Sequence, residues 1–490
     1  VTPALRLLVA VLFVVTVGTA NAGGYRFGVS DQAFYVPSIE LAADSTLFPR
    51  DRGVFEPQMR LWLGDELLGA AVRATGIELP TLFAVLYLLT MCALTIGVVA
   101  LARTLGCDWW TIAAALVLVT LRHRIARTGA NSLEGYMHPR MLAFALGLVA
   151  LAFSARLKPV TAAIWTLLAA LVHTSTAIWF GGVVFVAALW PYRLRRDVRL
   201  AALAAAVAGV AGFVGAVALL PRMDAGWLAV LDDRDYLFSA DWPLYAWLGN
   251  LAYPAVLWTL HRRRTARGVA HPGESALIAG LLALVVVFLV TIPLAELHIA
   301  FFVQLQANRI FWLLDVVVAI YVAWWLASDR MSKWPSARRA AAVGVLACLA
   351  IGRGVFVLHE AGRPLVQVRP PTDDWMDTMT WLRGQPAHWH VLVDPGHAWK
   401  YGISVRAAAL RDTPLEIGKD PAMAMYDRRL AMRVADRTVA LGNFDAWSSP
   451  EEVLQIAAHY EVDVFVDHVD RRFPFPVLFR NNSFVVYDLR

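Results

Sequence analysis

The chain has 490 residues, of which 59% are hydrophobic and only 17% charged, with a formal net charge of +6 and a mean hydropathy of +0.55. Soluble domains carry about 25% charged residues, which excludes an ordinary soluble enzyme, and the Arg and Lys residues cluster in short loops between apolar runs, which reads as membrane topology and not as nucleic-acid binding. Cys92, Cys107 and Cys348 lie in or beside apolar runs, without metal or pairing spacing, so neither a zinc finger nor a disulfide framework is expected.

At the start, Arg6 is followed by the apolar run Leu7–Val17 and by Ala20-Asn21-Ala22 before Gly23. Two readings fit: a signal peptide with a small-residue cleavage site, or a short uncleaved first span. The second is adopted, and in both Gly23 emerges on the outer side. A polar loop, 23–79, follows, with amphipathic helices expected near 33–44 and 57–74. Further spans are expected near 80–102, 109–121, 139–155, 159–174, 176–191, 199–220, 243–260, 275–295, 310–327 and 339–358. Several are shorter than the ~20 residues of a perpendicular helix, and Thr161–Trp190 also reads as one broken hairpin. The Ala-rich run at 201–211 suits close helix packing in lipid.

Charge gives the orientation. Arg103, Arg156, Lys158, Arg193, Arg195, Arg196, Arg199, Arg262, Arg263, Arg264, Arg267, Arg330, Lys333, Arg338 and Arg339 fall in alternate loops. The positive-inside rule places these loops in the cytoplasm, with the N-terminus inside and the C-terminus outside. The loop 221–242, with Asp224, Asp232, Asp233, Asp235 and Asp241, suits the outer side. The exception is the outward loop carrying Arg122, His123, Arg124 and Arg127.

The apolar runs end near Arg363. A helix is expected over Thr372–Arg383, capped by Thr372 or Asp373, then a strand over His390–Val393 ending at Asp394-Pro395-Gly396. Pro421–Asp436 reads as a helix, and Ser448-Ser449-Pro450-Glu451-Glu452 starts another. Val462–Val466 and Phe484–Tyr487 read as strands. The expected architecture is an α-helical polytopic membrane protein of about 11 spans (1–362, including the long first outer loop), followed by a small extracytoplasmic α/β domain (363–490).

Several residues are placed where chemistry is possible. Asp31, just beyond the first span, lies where a lipid headgroup would sit, and a carboxylate there can act as general base on an acceptor hydroxyl. The alternative is that Asp31 caps the helix beginning near Ala33. Asp51 is either a second acid or metal ligand, or part of a turn between two loop helices. Arg122, Arg124 and Arg127, with the stretch His138-Pro139-Arg140, form a basic patch suited to bidentate phosphate binding; the alternative is unspecific snorkelling to headgroups. His173 is a candidate because an imidazole in a span is costly unless paired. In Gln304-Leu305-Gln306-Ala307-Asn308-Arg309, Arg309 suits a further phosphate and Gln306 a hydroxyl, against an interfacial anchor. His388, His390 and His397 lie close in sequence, but without Cys or HExxH spacing they do not indicate a metal. No cofactor is called for. There is no phosphate-binding loop, no GxGxxG after a strand and no nucleophile elbow.

These features resemble the GT-C class of membrane glycosyltransferases, which use polyprenyl-phosphate sugars. The resemblance lies in Phe27-Gly28-Val29-Ser30-Asp31-Gln32-Ala33-Phe34-Tyr35-Val36-Pro37, in Leu47-Phe48-Pro49-Arg50-Asp51, in His138-Pro139-Arg140-Met141-Leu142-Ala143-Phe144 leading to Leu171-Val172-His173-Thr174, and in Gln306-Ala307-Asn308-Arg309. It implies a polyprenyl-phosphate sugar donor, a glycan, lipid or protein acceptor, and Asp31 as catalytic base. Many members carry two acids at this loop start; here Gln32 follows Asp31, which departs from a metal-binding pair. His173-Thr174 stands where members often have His-Pro.

The function expected is therefore sugar transfer at the outer face of a bacterial plasma membrane, with Asp31 as base and Arg122, Arg124, Arg127, Arg140 or Arg309 stabilising the departing phosphate. A flippase for a lipid-linked glycan and a non-catalytic scaffold are the alternatives. A flippase would be expected to show repeats or polar residues along a path through the membrane.

Overall fold

A computed structural model describes residues 2–60, 62–197 and 217–490, with Leu200, Gly209, Gly212 and Gly215. The span expected at 199–220, the Ala-rich run and Arg199 lie largely or wholly outside these residues. The chain is mostly helical and forms two compact units: Val1–Tyr25, Leu86–Arg222 and Asp235–Val366 in the first, and Arg26–Val85, Met223–Arg234 and Gln367–Arg490 in the second.

Among the described residues, six helical stretches are long and apolar enough to cross a membrane: Pro3–Asn21, Leu79–Thr104, Thr174–Tyr192, Glu274–Glu296, Ala300–Arg330 and Ser336–Glu360. Trp109–Thr120, Pro139–Ala155 and Pro159–Val172 are shorter apolar helices. In the first unit Ile310–Trp324 is buried almost all round, as expected of a helix apolar on every face. Trp312 on it stacks on Phe144 of Pro139–Ala155 at 4.0 Å between ring centroids. Small residues set the closest crossings: a Cβ on Gly280 would meet the Val183 carbonyl oxygen at 2.7 Å, and one on Gly354 the Ala20 Cβ at 2.8 Å. Asn21 donates to the Val17 and Ala350 carbonyls at 3.0 Å each, fixing the N-terminal helix to Ser336–Glu360.

Two readings of the sequence are refined here. Arg264, counted among the cytoplasmic loop charges, lies inside the helix Leu244–Ala266 and is buried against Glu274 at 2.8 Å. The expected break within Thr161–Trp190 falls at His173, between the helices Pro159–Val172 and Thr174–Leu189.

The second unit gathers the first-loop segment with the tail. Its loop helices are Gln32–Ala43, Arg52–Met59 and Gly64–Thr75, so the one expected over 57–74 is two helices. The tail carries a four-stranded sheet in the spatial order Val391–Leu392, Val464–His468, Phe484–Asp488, Val477–Arg480. The first pair is parallel and the others antiparallel. Strand Val477–Arg480 was not expected; Pro474 and Pro476 stand just before it, and it lies at the sheet edge, where prolines are tolerated. Asp373 caps Asp374–Arg383 by accepting from the Met376 amide at 2.8 Å. Ser449 and Glu452 form a reciprocal capping box. The helix expected over 421–436 breaks, and a new one, capped by Asp427, runs Arg428–Leu441.

Candidate active site

In the second unit, Asp31 stands at the start of Gln32–Ala43. The turn before it is tightly set: Gly28 and Ser30 have φ of 79° and 53°, and the Gly28 amide donates to the buried Gln32 Oε1 at 2.6 Å. The Asp31 side chain makes no capping hydrogen bond to its helix. Its Oδ1 instead pairs with Lys419 Nζ, and the two side chains are 22% and 21% exposed. Capping therefore does not account for this carboxylate, and Lys419, unsuspected from sequence, holds it in place.

Asp51 is fully buried. Its Oδ2 accepts from Arg406 Nε at 2.7 Å and from the Thr413 amide at 2.9 Å, and its Oδ1 pairs with Arg433. Burial by itself raises a carboxyl, but Arg406 and Arg433 hold Asp51 well below the usual carboxylate range. Arg406 also binds Asp420 at 2.5 Å, and Asp412 accepts from the Asp51 amide at 3.0 Å. A second acid acting on substrate is not what this geometry offers; Asp51 belongs to a closed charge network. His390 and His397 are buried as well, bonded to the Tyr460 and Asp394 carbonyls at 2.9 and 2.7 Å. Among the described residues, no group of three or more His, Cys, Asp and Glu is assembled as a metal site.

In the first unit, the loop between Trp109–Thr120 and Pro139–Ala155 contains a short hairpin, Arg124–Ile125 against Ala130–Asn131. Arg140 is buried and bonds Glu134 Oε1 at 2.5 Å, with its guanidinium 5.9 Å from the Trp312 ring centroid. Arg122 lies 4.0 Å from the same carboxylate and donates to the Leu133 carbonyl at 3.2 Å. Arg127 pairs with Asp235 and donates to the Tyr245 hydroxyl at 3.0 Å. Arg124 is exposed and has no ion pair among the described residues. Arg309 is half-buried, in a single turn, Ala307–Arg309, that follows the left-handed Gln306. The expected basic patch is thus divided: Arg140 and Arg127 are engaged by carboxylates, while Arg124 faces outward.

His138 and His173 are both helix caps. His138 Nδ1 accepts from the Arg140 amide at 3.2 Å, and His173 Nδ1 from the Thr176 amide at 3.3 Å. Their ring centroids are 6.2 Å apart. His123 bonds Asp315 through Nδ1 at 2.9 Å. This bond, opposed by burial, raises the His123 pKa above its ordinary value. Asp315 was missed in the sequence, although one carboxylate in the apolar run Ile310–Trp324 is itself a signal.

No family model matches the sequence, and no curated protein matches it. Solved structures are similar to it. The archaeal oligosaccharyltransferase AglB from Archaeoglobus fulgidus, in complex with an inhibitory peptide and a dolichol-phosphate, matches with a TM-score of 0.52 at 13% identity, over 95% of this chain and 69% of that one. The Archaeoglobus fulgidus oligosaccharyltransferase with zinc and sulfate, and its apo form, give TM-scores of 0.48 and 0.47 at 15% and 13% identity, again over 95% of this chain and 68% and 69% of theirs. The first of these likenesses shows a GT-C-like membrane fold.

Proposed function

We propose that this protein is a glycosyltransferase that moves a sugar from a polyprenyl-phosphate donor to an acceptor at the outer face of the plasma membrane. The acceptor hydroxyl attacks the anomeric carbon and its proton passes to Asp31. The bond from that carbon to the phosphate oxygen breaks, and polyprenyl phosphate leaves with the electron pair. Arg124 and Arg309 bind the departing phosphate; Arg140 and Arg127 serve mainly to hold their loop through Glu134 and Asp235. The membrane part has about eleven spans, with the N-terminus inside and residues 363–490 outside.

The observation that carries this reading is the state of Asp31: partly exposed, not spent on capping its helix, and paired with Lys419. The GT-C-like fold supports it. The test is Asp31→Asn in folded, purified protein assayed with mixed polyprenyl-phosphate sugars. A loss of about 10²–10⁴-fold in transfer is expected, and undiminished transfer removes Asp31 as the base.

A further inference from the structure

The second unit contains a cavity of about 190 Å³ within the tail, remote in sequence from Asp31. It lies at the carboxyl ends of the two parallel strands Val391–Leu392 and Val464–His468 and is lined by Asp394, just past the first, and by Asp467, near the end of the second. Crevices at the carboxyl ends of parallel strands are where open α/β sheets bind ligands.

One wall is aromatic. Trp375 and Tyr401 have ring centroids 4.6 Å apart, and Phe484 lies 5.2 Å from Trp375 and 5.0 Å from Tyr401. The other side is polar. Asp467 is 5% exposed; its Oδ1 accepts from Arg471 at 3.2 Å and from the His468 amide at 2.8 Å. Its Oδ2 is buried without a hydrogen-bond partner among the described residues. A buried carboxylate oxygen left unbonded is costly, and a ligand hydroxyl in the cavity would satisfy it. Lys400 pairs with Asp394 and, at 3.1 Å, with Asp445 on the rim.

The charges restrict the ligand. The carboxylates of Asp394, Asp445 and Asp467 outnumber the cations Lys400 and Arg471, which disfavours a phosphate or another anion. The carboxylates are already bound to those two cations, which disfavours a metal ion. A neutral ring with hydroxyls on its edge and C–H groups on its face matches an aromatic wall facing carboxylate acceptors, and the volume suits one such ring.

We infer that this cavity is a binding site for a single neutral sugar ring, taken from a glycan, with Asp467 accepting from a ring hydroxyl and the Trp375–Tyr401–Phe484 wall packing on the ring face. The site is independent of the transfer reading, since it concerns binding and uses none of the residues assigned to transfer.

The test is ligand-detected saturation-transfer NMR on the full chain in detergent, with glucose, galactose, mannose and N-acetylglucosamine as separate probes. At least one should give a saturable signal, with Kd on the order of 1 mM. Asp467→Asn should weaken it about tenfold, as expected for loss of a hydrogen bond to a charged acceptor. If that variant does not fold, the exposed Asp445→Ala replaces it, with about threefold weakening expected. No saturable signal from any of the four sugars overturns the proposal, as does unchanged affinity in the folded variant tested. Saturable binding by an Asp31→Asn protein that has lost transfer would leave this site intact.

Discussion

Arg406 donates from Nε to Asp51 Oδ2 over 2.7 Å, joining residues 355 positions apart in the chain. Both are enclosed, at 1% and 0% side-chain exposure. The pair fastens the first-loop segment to the tail inside the second unit, and Asp420 and Arg433 close the network around it.

Breaking that pair from one side should destabilise the unit strongly. Arg406→Met leaves Asp51 and Asp420 buried with less compensation, and a loss of about 3–5 kcal/mol is expected. Thermal melting in detergent reads it as a large fall in Tm. A Tm unchanged from wild type would show that the carboxylates do not depend on Arg406.

Lys419 should behave as a positioning residue for Asp31. Its pair is only partly buried, so Lys419→Met should cost no more than about 1 kcal/mol of stability. Displacing the carboxylate should lower kcat by about tenfold, with KM for the donor little changed. Lys419→Arg should restore much of the rate. Equal losses in both variants would assign Lys419 a role other than charge pairing.

The arginines of the 121–138 loop and its following helix should separate by function. Arg124→Ala should raise KM for the donor about tenfold or more, as for a lost hydrogen bond to a charged phosphate, with Tm unchanged. Arg140→Ala should instead take from Glu134, itself 4% exposed, its nearest cation, leaving Arg122 at 4.0 Å and the Asn131 amide, and cost about 3 kcal/mol. Reversed effects, with Arg140→Ala changing KM alone, would move the phosphate contact to Arg140.

His123 should make stability depend on pH. Its folded pKa is raised above 6.5, first by the hydrogen bond to Asp315. The stabilisation is therefore complete below about pH 6.5 and is lost as pH rises through the elevated value. Melting curves between about pH 6 and 9 should show this fall, and His123→Gln should flatten it. The same slope in His123→Gln would place the titration elsewhere.

Asp65 should add to the same trend by a different route. It is buried in the first turn of Gly64–Thr75, neither oxygen has a hydrogen-bond partner among the described residues, and burial pushes its pKa up to about 8. A raised carboxyl costs stability as pH climbs from the unfolded value of 3.8 through the folded one. Asp65→Asn should match wild type below about pH 4 and exceed it by a margin that grows up to about pH 8. A variant less stable than wild type at both pH values would mean that the carboxylate has a partner it needs.

The expected helices and strands mostly return with shifted ends. The helix expected over 339–358 runs Ser336–Glu360, and the strand expected over 484–487 runs Phe484–Asp488. Apolar periodicity and capping residues act within a few positions of one another, so Asp373 and Ser449 declare their helices locally. The break before Arg428 was missed: Ala424-Met425-Tyr426-Asp427 carries neither Gly nor Pro, and its one local signal is Asp427, the N-cap of the new helix.

For the site, the sequence alone determined that Asp31 follows an apolar helix and that arginines cluster at 122–127. It left open whether Asp31 caps its helix and which arginines are free. Tertiary structure decided both for the described residues: Lys419 takes the Asp31 carboxylate, Glu134 and Asp235 take Arg140 and Arg127, and Arg406 encloses Asp51. The reason is physical. Capping and periodicity are short-range, whereas burial and ion pairing depend on which distant segments the fold brings together, and a charge's role is set by the partner it meets there.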